Sequence, residues 1–303
     1  MTVWFVGLTT LDVVHRAAGR PAANQKATAS RQDVAAGGPA ANAAVTAAAL
    51  GCRAVLVTAL GGGPVARAAR TDLEAHGVQV HDVVDDDEGF ALAVSAVLVD
   101  DATGERSVVS ADAALATAPA PTFLADLPTP DVVLLDGHHP AIARAVVEHV
   151  TGLERRPRVV LDAGRWRPLF ADLLPVADVA ALSADFTVPD DVAPGAPDLG
   201  SAVLGLGARA VVVTHGGDPV TWTTAGPGPG SPGAGGTGGA GSVEVPHVVV
   251  RDTLGAGDAF HGALAARLAS GADLPAAVGD AVRVASTRVA HVGPRAWLAE
   301  VRS

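Results

Sequence analysis

The segment Asp252-Thr253-Leu254-Gly255-Ala256-Gly257-Asp258-Ala259-Phe260-His261-Gly262 decides the reading of this chain. It joins a β-rich run to a helical stretch in which Phe260, Ala263, Leu264 and Leu268 fall along one side, ready to pack against a sheet. Its glycines let backbone N–H groups converge on an anion. Gly255, Ala256 and Gly257 therefore predict an anion hole at a helix start, reinforced by the positive end of the helix dipole. Asp258 falls in the first turn of that helix. A carboxylate repels a phosphate, so it reads better as the group that takes a proton from an attacking alcohol while the amides hold phosphoryl oxygens. In the plainer reading Asp258 complements the helix dipole and the glycines merely turn the chain. That reading leaves unexplained why Asp252, Thr253, two glycines and Asp258 meet at one strand-to-helix junction.

Upstream of this junction, Val132 to Leu135, Val159 to Asp162, Val179 to Leu182 and Ala210 to Thr214 are short apolar runs separated by helix-length segments such as Ala141 to Gly152. That rhythm predicts a parallel sheet with helices on both faces. Ligands of such sheets bind at the carboxyl ends of strands, which draws attention to Asp136, Asp162, Ser183 and Thr214. The run from Gly226 to Ser242 has almost no side chains to bury and predicts a flexible loop. With Val220 to Thr224 before it and Val243 to Val250 after, it reads as an overgrown hairpin connection. A second helix, Leu274 to Ala290, follows the decisive segment.

In the first half, Val3 to Leu8 reads as a buried strand with Asp12 just beyond it, and the Ala-rich run Ala40 to Leu50 as a helix stopped by Gly51. Val55 to Leu60, Val78 to Val84 and Phe90 to Val99 are strand candidates, and Arg106 to Val109 returns after a turn. The expected division is a core of residues 1–12, 35–89 and 110–303, with a small β lid from 13–34 and 90–109.

The 303 residues suffice for a sizeable core. Apolar residues make up 49%, yet only 6 are Phe and 4 Trp, with no Tyr, so small aliphatics must pack it. Lys and Arg total 21 against 32 Asp and Glu, a formal charge of −11 that argues against nucleic acid or anionic membrane as partners. The single cysteine, Cys52, excludes an internal disulfide and any multi-cysteine metal site. Met1 to Leu11 lacks a basic leader, and no apolar run is long enough to span a bilayer, so a cytoplasmic location is expected.

The decisive segment contains DTxGAGDxF, and the chain thereby resembles the PfkB, or ribokinase-like, carbohydrate kinases. Gly37 to Gly51, GGPAANAAVTAAALG, is similar to the N-terminal motif of that family. The resemblance runs from Val3 to about Arg295 and implies a three-layer α/β/α core with a small β-sheet lid. It implies an ATP-dependent kinase acting on a sugar hydroxyl, with ribose, a ketose or a nucleoside as candidate acceptors, or a noncatalytic sugar-binding protein of the same fold. It makes Asp258 the catalytic base and Gly255 to Gly257 the anion hole, and matches Asp12, Gly38 and Asn42 to positions that meet sugar hydroxyls. The residue types suit a polyhydroxyl ligand, since Asp accepts hydroxyl hydrogen bonds, Asn donates and accepts, and Gly permits close approach. Val211 to Gly217 resembles the nucleotide-side turn, with Thr214 and Gly216 as ATP contacts. Asp252 resembles a position near a monovalent-cation site, such as one for K+.

The chain departs from the family where an Asn-x-x-Glu motif helps organise magnesium. Ser183 stands at the Asn position and Phe186 at the Glu position, with Asp185 nearby as a candidate water-mediated contact to Mg2+. Arg165, Arg167 and Arg106 read as solvated or as anion-facing, and His138 and His139 as cleft residues without a metal role. An exposed lid edge or face would favour a homodimer through the lid.

Overall fold

The computed structural model describes residues 1–85, 87–226 and 238–302. In chain order the strands and helices begin β1 (Thr2–Val6), β2 (Thr10–Ala17), β3 (Arg31–Gly37), α1 (Pro39–Ala49), β4 (Arg53–Thr58), α2 (Pro64–Ala75) and β5 (Val78–Asp82). There follow β6 (Val94–Asp100), β7 (Arg106–Val109), β8 (Val132–Leu135), α3 (Pro140–Thr151), β9 (Arg158–Ala163), α4 (Phe170–Leu173) and β10 (Val179–Ser183). The chain continues through α5 (Leu199–Gly205), β11 (Ala210–His215), β12 (Asp218–Thr224), β13 (Ala240–Val243), α6 (Ala256–Ala269), α7 (Leu274–Val289) and α8 (Leu298–Val301).

Nine strands form the central sheet in the order β13-β12-β11-β10-β9-β8-β1-β4-β5. The run from β11 to β5 is parallel, and β12 and β13 add antiparallel at one edge. Helices cover both faces, so β1 is apolar from Val3 to Val6. Val3 and Phe5 enter the core shared with α1, α6 and α7, while Trp4 and Val6 enter the core shared with α3. Because both cores are lined mainly by Ala, Val and Leu, backbones approach closely. A Cβ on Gly262 would lie 2.4 Å from the Ala43 carbonyl and 2.8 Å from Thr46 Cβ, so α6 and α1 pack almost backbone to backbone.

A separate four-stranded sheet, ordered β3-β2-β6-β7, stands over the carboxyl edge of the large one. It starts at Thr10 and reaches Gly37, so Asp12 lies inside this sheet rather than just beyond the first strand. Its outer face carries an apolar row in register: Val34 opposite Val13, Val13 opposite Ala96, and Ala96 opposite Val109.

Three further elements differ from expectation. Helix α2 was not apparent because its window mixes Arg, Thr, Asp and Glu with only Ala66, Ala69 and Leu73 buried. The final strand stops at Val243, and Val248 to Val250 are exposed, so β-branched composition overstated it. Helix α6 is buried nearly all round rather than on one side, because α1 and α7 enclose it. The Gly-rich run follows β12, but its last residues, 240–242, belong to β13 rather than to a loop, and 227–237 lie outside the described residues. No described helix is long and apolar enough to cross a membrane.

Candidate active site

Two helix starts and one strand meet at a cleft of about 200 Å³ lined by Asp12, Gly38, Asn42, Arg106, Gly255, Gly257 and Asp258 among others. Gly255 is the N-cap of α6 at φ 71°, a left-handed conformation that costs a residue with a Cβ. Among the described residues, the N–H groups of Gly255, Gly257 and Asp258 donate to no protein acceptor, whereas Ala256 N–H turns back to the Thr253 carbonyl at 3.4 Å. The available donors are therefore Gly255, Gly257 and Asp258 itself, pointing from a positive helix end. Nothing lies within 4 Å of a Cβ built on Gly257, so the space in front of that turn is open.

Asp258 is half-buried at the cleft floor. Its Oδ2 accepts a hydrogen bond from Asn42 Nδ2 at 2.8 Å, made possible by the close approach of α1 and α6. Burial and the like charge of Asp162 push its pKa from 3.8 up to about 6, against the lowering effects of Asn42, His261 and Arg106. Behind it, His261 Nδ1 stands 3.1 Å from Asp162 Oδ2, both buried. Burial would lower the imidazole pKa, but the Asp162 and Asp258 charges raise it.

The Asn42 amide is fixed from its other end. Arg295 Nη1 donates to Asn42 Oδ1 at 3.1 Å, and the same guanidinium binds Asp72 and the Ala36 carbonyl. Asp12 faces them from β2, its Oδ1 accepting from Thr10 Oγ1 at 2.7 Å. Burial raises its pKa despite the Thr10 and Ser95 hydroxyls and the Arg295 charge. Gly38 caps α1 at φ 94°, and a Cβ there would sit 2.4 Å from the Leu8 carbonyl. Nearby, the buried Asp136 carboxylate accepts from the N–H groups of Leu8, Ala40 and His138, tying the end of β1 to the start of α1. Burial alone would raise its pKa; His138 and these backbone bonds reverse that and bring it to about 2.

The small sheet closes onto this floor. Arg106 Nη1 donates to the Thr253 carbonyl at 2.9 Å, and Thr253 N–H donates to the Gly104 carbonyl at 3.1 Å. Arg106 is thus a cleft residue, one of the two choices its sequence context left open. Arg165 is exposed, while Arg167 lies 2.5 Å from His138 Nε2 and so is not a free surface cation.

Other sequence candidates do not line this cleft. Thr214 and Gly216 lie at and beyond the end of β11, with Thr214 Oγ1 donating to the Leu182 carbonyl and Ser183 in register beside Thr214. Asp185 is exposed, its N–H donating to Ser183 Oγ. Among the described residues no group of three or more metal-ligating side chains comes together. Phe186 is buried in an aromatic cluster with Trp166 and Phe170, so an acidic residue there would have to be desolvated in apolar surroundings.

Asp252, expected as a monovalent-cation contact, faces arginine side chains. It is 1% exposed, and its carboxylate faces Arg288 at 3.4 Å and Arg16 at 3.8 Å. Arg288 answers Asp252, Arg16 is shared with Asp101 at 3.1 Å, and the Asp252 carboxylate also accepts the N–H groups of Leu254 and Gly293, so a further cation would meet guanidinium groups at short range. The residues around Asp252 do not fit K+. Sequence reasoning missed Arg295, Arg288 and Arg16, because an isolated Arg gives no local signal of a partner far away in the chain.

The same fold occurs in solved kinases. A protein assigned as a ribokinase from Agrobacterium tumefaciens superposes with a TM-score of 0.78 at 25% identity, over 99% of this chain and 95% of that one. The ribokinase of Arabidopsis thaliana, solved with ribose and ATP, gives 0.74 at 20% identity over 100% and 99%. That of Cryptococcus neoformans, in complex with ADP, gives 0.71 at 18% identity over 99% and 98%. Residues 2–300 match the model of the pfkB family of carbohydrate kinases, and the chain belongs to that family.

Proposed function

We propose that this kinase transfers the γ-phosphoryl group of MgATP to a hydroxyl of a small free sugar, a ribose-like pentose or a ketose, held between Asp12, Asn42 and Asp258. The observation that carries the reading is that the raised-pKa carboxylate of Asp258 shares one cleft with Asp12 and Asn42 and stands next to the unengaged N–H of Gly257. Two acids and one amide suit a polyhydroxyl ligand. The Arabidopsis enzyme, solved with ribose and ATP in the same fold, supports the choice of a pentose.

In this reading the sugar oxygen attacks the γ-phosphorus, the bond to the β-phosphate oxygen breaks, and ADP leaves. Asp258 takes the hydroxyl proton as the new bond forms; a carboxylate with pKa about 6 is ionised at neutral pH and still basic enough to receive it. The N–H groups of Gly255 and Gly257 hold the equatorial phosphoryl oxygens. Thr214 and Gly216 contact the nucleotide along the carboxyl edge of the large sheet. Magnesium enters as the counter-ion of the ATP phosphates, with Asp185 within reach only through water. The small sheet covers the sugar, and its outer apolar row favours a second copy of the chain against it.

A panel of pentoses, ketoses and nucleosides with MgATP, read by sugar-dependent ADP release and by the phosphorylated product, tests the proposal. Turnover of a free pentose or ketose is expected. Turnover confined to nucleosides, or ligand binding with no transfer to any acceptor, would overturn it.

A further inference from the structure

The Asp252 carboxylate lies directly behind the turn that opens α6. Its Oδ1 accepts the N–H of Leu254 at 3.0 Å and its Oδ2 the N–H of Gly293 at 3.1 Å. Arg288, 2% exposed, reaches into the same space from α7. Its Nη2 is 3.4 Å from Asp252 Oδ2, and its Nη1 donates to the His291 carbonyl at 3.1 Å and to the Asp252 carbonyl at 3.5 Å. Its Nε comes within 4.0 Å of where a Cβ on Gly255 would stand. One carboxylate and two carbonyls thus surround a guanidinium immediately behind the anion-binding turn.

Carboxylate and carbonyl oxygens are the donor set of a hard cation, and here a side chain supplies the positive charge. A guanidinium does not deprotonate in proteins, and its fan of N–H groups binds a carboxylate and separate carbonyls together. Arg16 approaches the same carboxylate at 3.8 Å with a buried Nη1 that has no hydrogen-bond acceptor among the described residues, while its Nε is paired with Asp101 at 3.1 Å. The two arginines are thus matched by two carboxylates, Asp252 and Asp101, and the positive charge that stands against the N-cap of α6 is that of Arg288. That sign adds to the helix dipole where a transferred phosphoryl group gathers negative charge.

We propose that the Arg288 guanidinium is a built-in substitute for a monovalent cation behind the anion-binding turn, so that this kinase works without potassium. The inference rests on the kinase reading of the site. Arg288 is a positioning residue: it holds the 252–255 turn and its charge in place and touches no reactant.

The test compares the wild-type chain in potassium, sodium and tetramethylammonium chloride at one ionic strength. Initial rates and MgADP affinity by calorimetry are both measured. Rates and affinities should agree within about twofold across the salts, since any difference beyond screening requires a specific ion site. A stimulation by potassium above about fivefold overturns the inference while leaving the kinase reading intact, because a specific site would respond by mass action. If no sugar is turned over, the failure belongs to the substrate reading, and the salt series on MgADP binding still decides this one. Arg288→Ala should weaken MgADP binding about tenfold, the loss of roughly one charge-assisted hydrogen-bond set, and potassium but not tetramethylammonium should restore part of it. Arg288→Lys should keep the affinity within about threefold, a compact ammonium retaining the charge but not the fork. Arg288→Ala with unchanged MgADP affinity overturns the inference. Should that variant not fold, the wild-type salt series and Arg288→Lys carry the decision.

Discussion

Replacing Asp258 with Asn separates two consequences of one half-buried carboxylate. The amide keeps a carbonyl oxygen for the bond from Asn42 Nδ2, so the α1–α6 contact survives, but it cannot take a proton. Loss of a general base costs about 10²- to 10⁴-fold in turnover. Stability should move the other way. The folded-state pKa of about 6 lies above the ordinary 3.8, so ionised Asp258 disfavours the fold at neutral pH. The difference corresponds to an upper bound of about 3 kcal/mol, and about half of that once cleft water screens the charge. At about 2 °C per kcal/mol for a chain of this size, Asp258→Asn should melt about 3 °C higher than wild type at pH 7.5. The gain should shrink as pH falls through 6 and vanish below 3.8, where the wild-type carboxyl is protonated in both states. Differential scanning calorimetry across pH gives the stability arm, and coupled ADP release gives the turnover arm. Wild-type kcat/KM should likewise fall about tenfold per pH unit below about 6. A variant that keeps more than about a tenth of wild-type turnover, or that melts lower at pH 7.5 than wild type, would refute the assignment of Asp258 as a destabilised base.

Gly262→Val should lower stability by at least about 2 kcal/mol and raise KM for the sugar, because its side chain meets Ala43 and Thr46 and drives α1 from α6; chemical denaturation and initial rates check both. Asp136→Asn turns one acceptor oxygen into an NH₂ facing backbone donors, and should cost about 2–4 kcal/mol at pH 7 by urea unfolding. Because its pKa is depressed to about 2, the wild-type contribution is present above 3.8 and is lost as pH falls toward 2. Arg295→Met frees the Asn42 amide to turn and should raise KM about tenfold with a smaller change in kcat, which steady-state kinetics resolves. Val109→Asp places a charge in the outer row of the small sheet and should shift the mass seen by light scattering from dimer to monomer, with the melting temperature of the monomer unchanged within about 1 °C.

The junction 252–262 was legible in the sequence because its chemistry is local. Glycines, a helix start and a carboxylate one residue from a free N–H are set by adjacent residues, and the structure has the left-handed Gly255 cap and Asp258 in the first turn of α6 where the sequence puts them. The parallel sheet was legible for a related reason: strands buried on both faces become continuous apolar runs, as in β1, β8 and β10. Helix α2 and the end of the last strand were less clear, since mixed polar composition and β-branched runs do not report which face finds a partner. What only the tertiary structure decided is which charged and polar groups far apart in the chain are brought together. Arg295 holds Asn42, burial and the nearby Asp162 raise the pKa of Asp258, and Arg288 and Arg16 converge on Asp252. The arginine contacts form because a buried charge needs an opposite charge or a polar acceptor brought in by the fold, and one-dimensional spacing carries no trace of that choice.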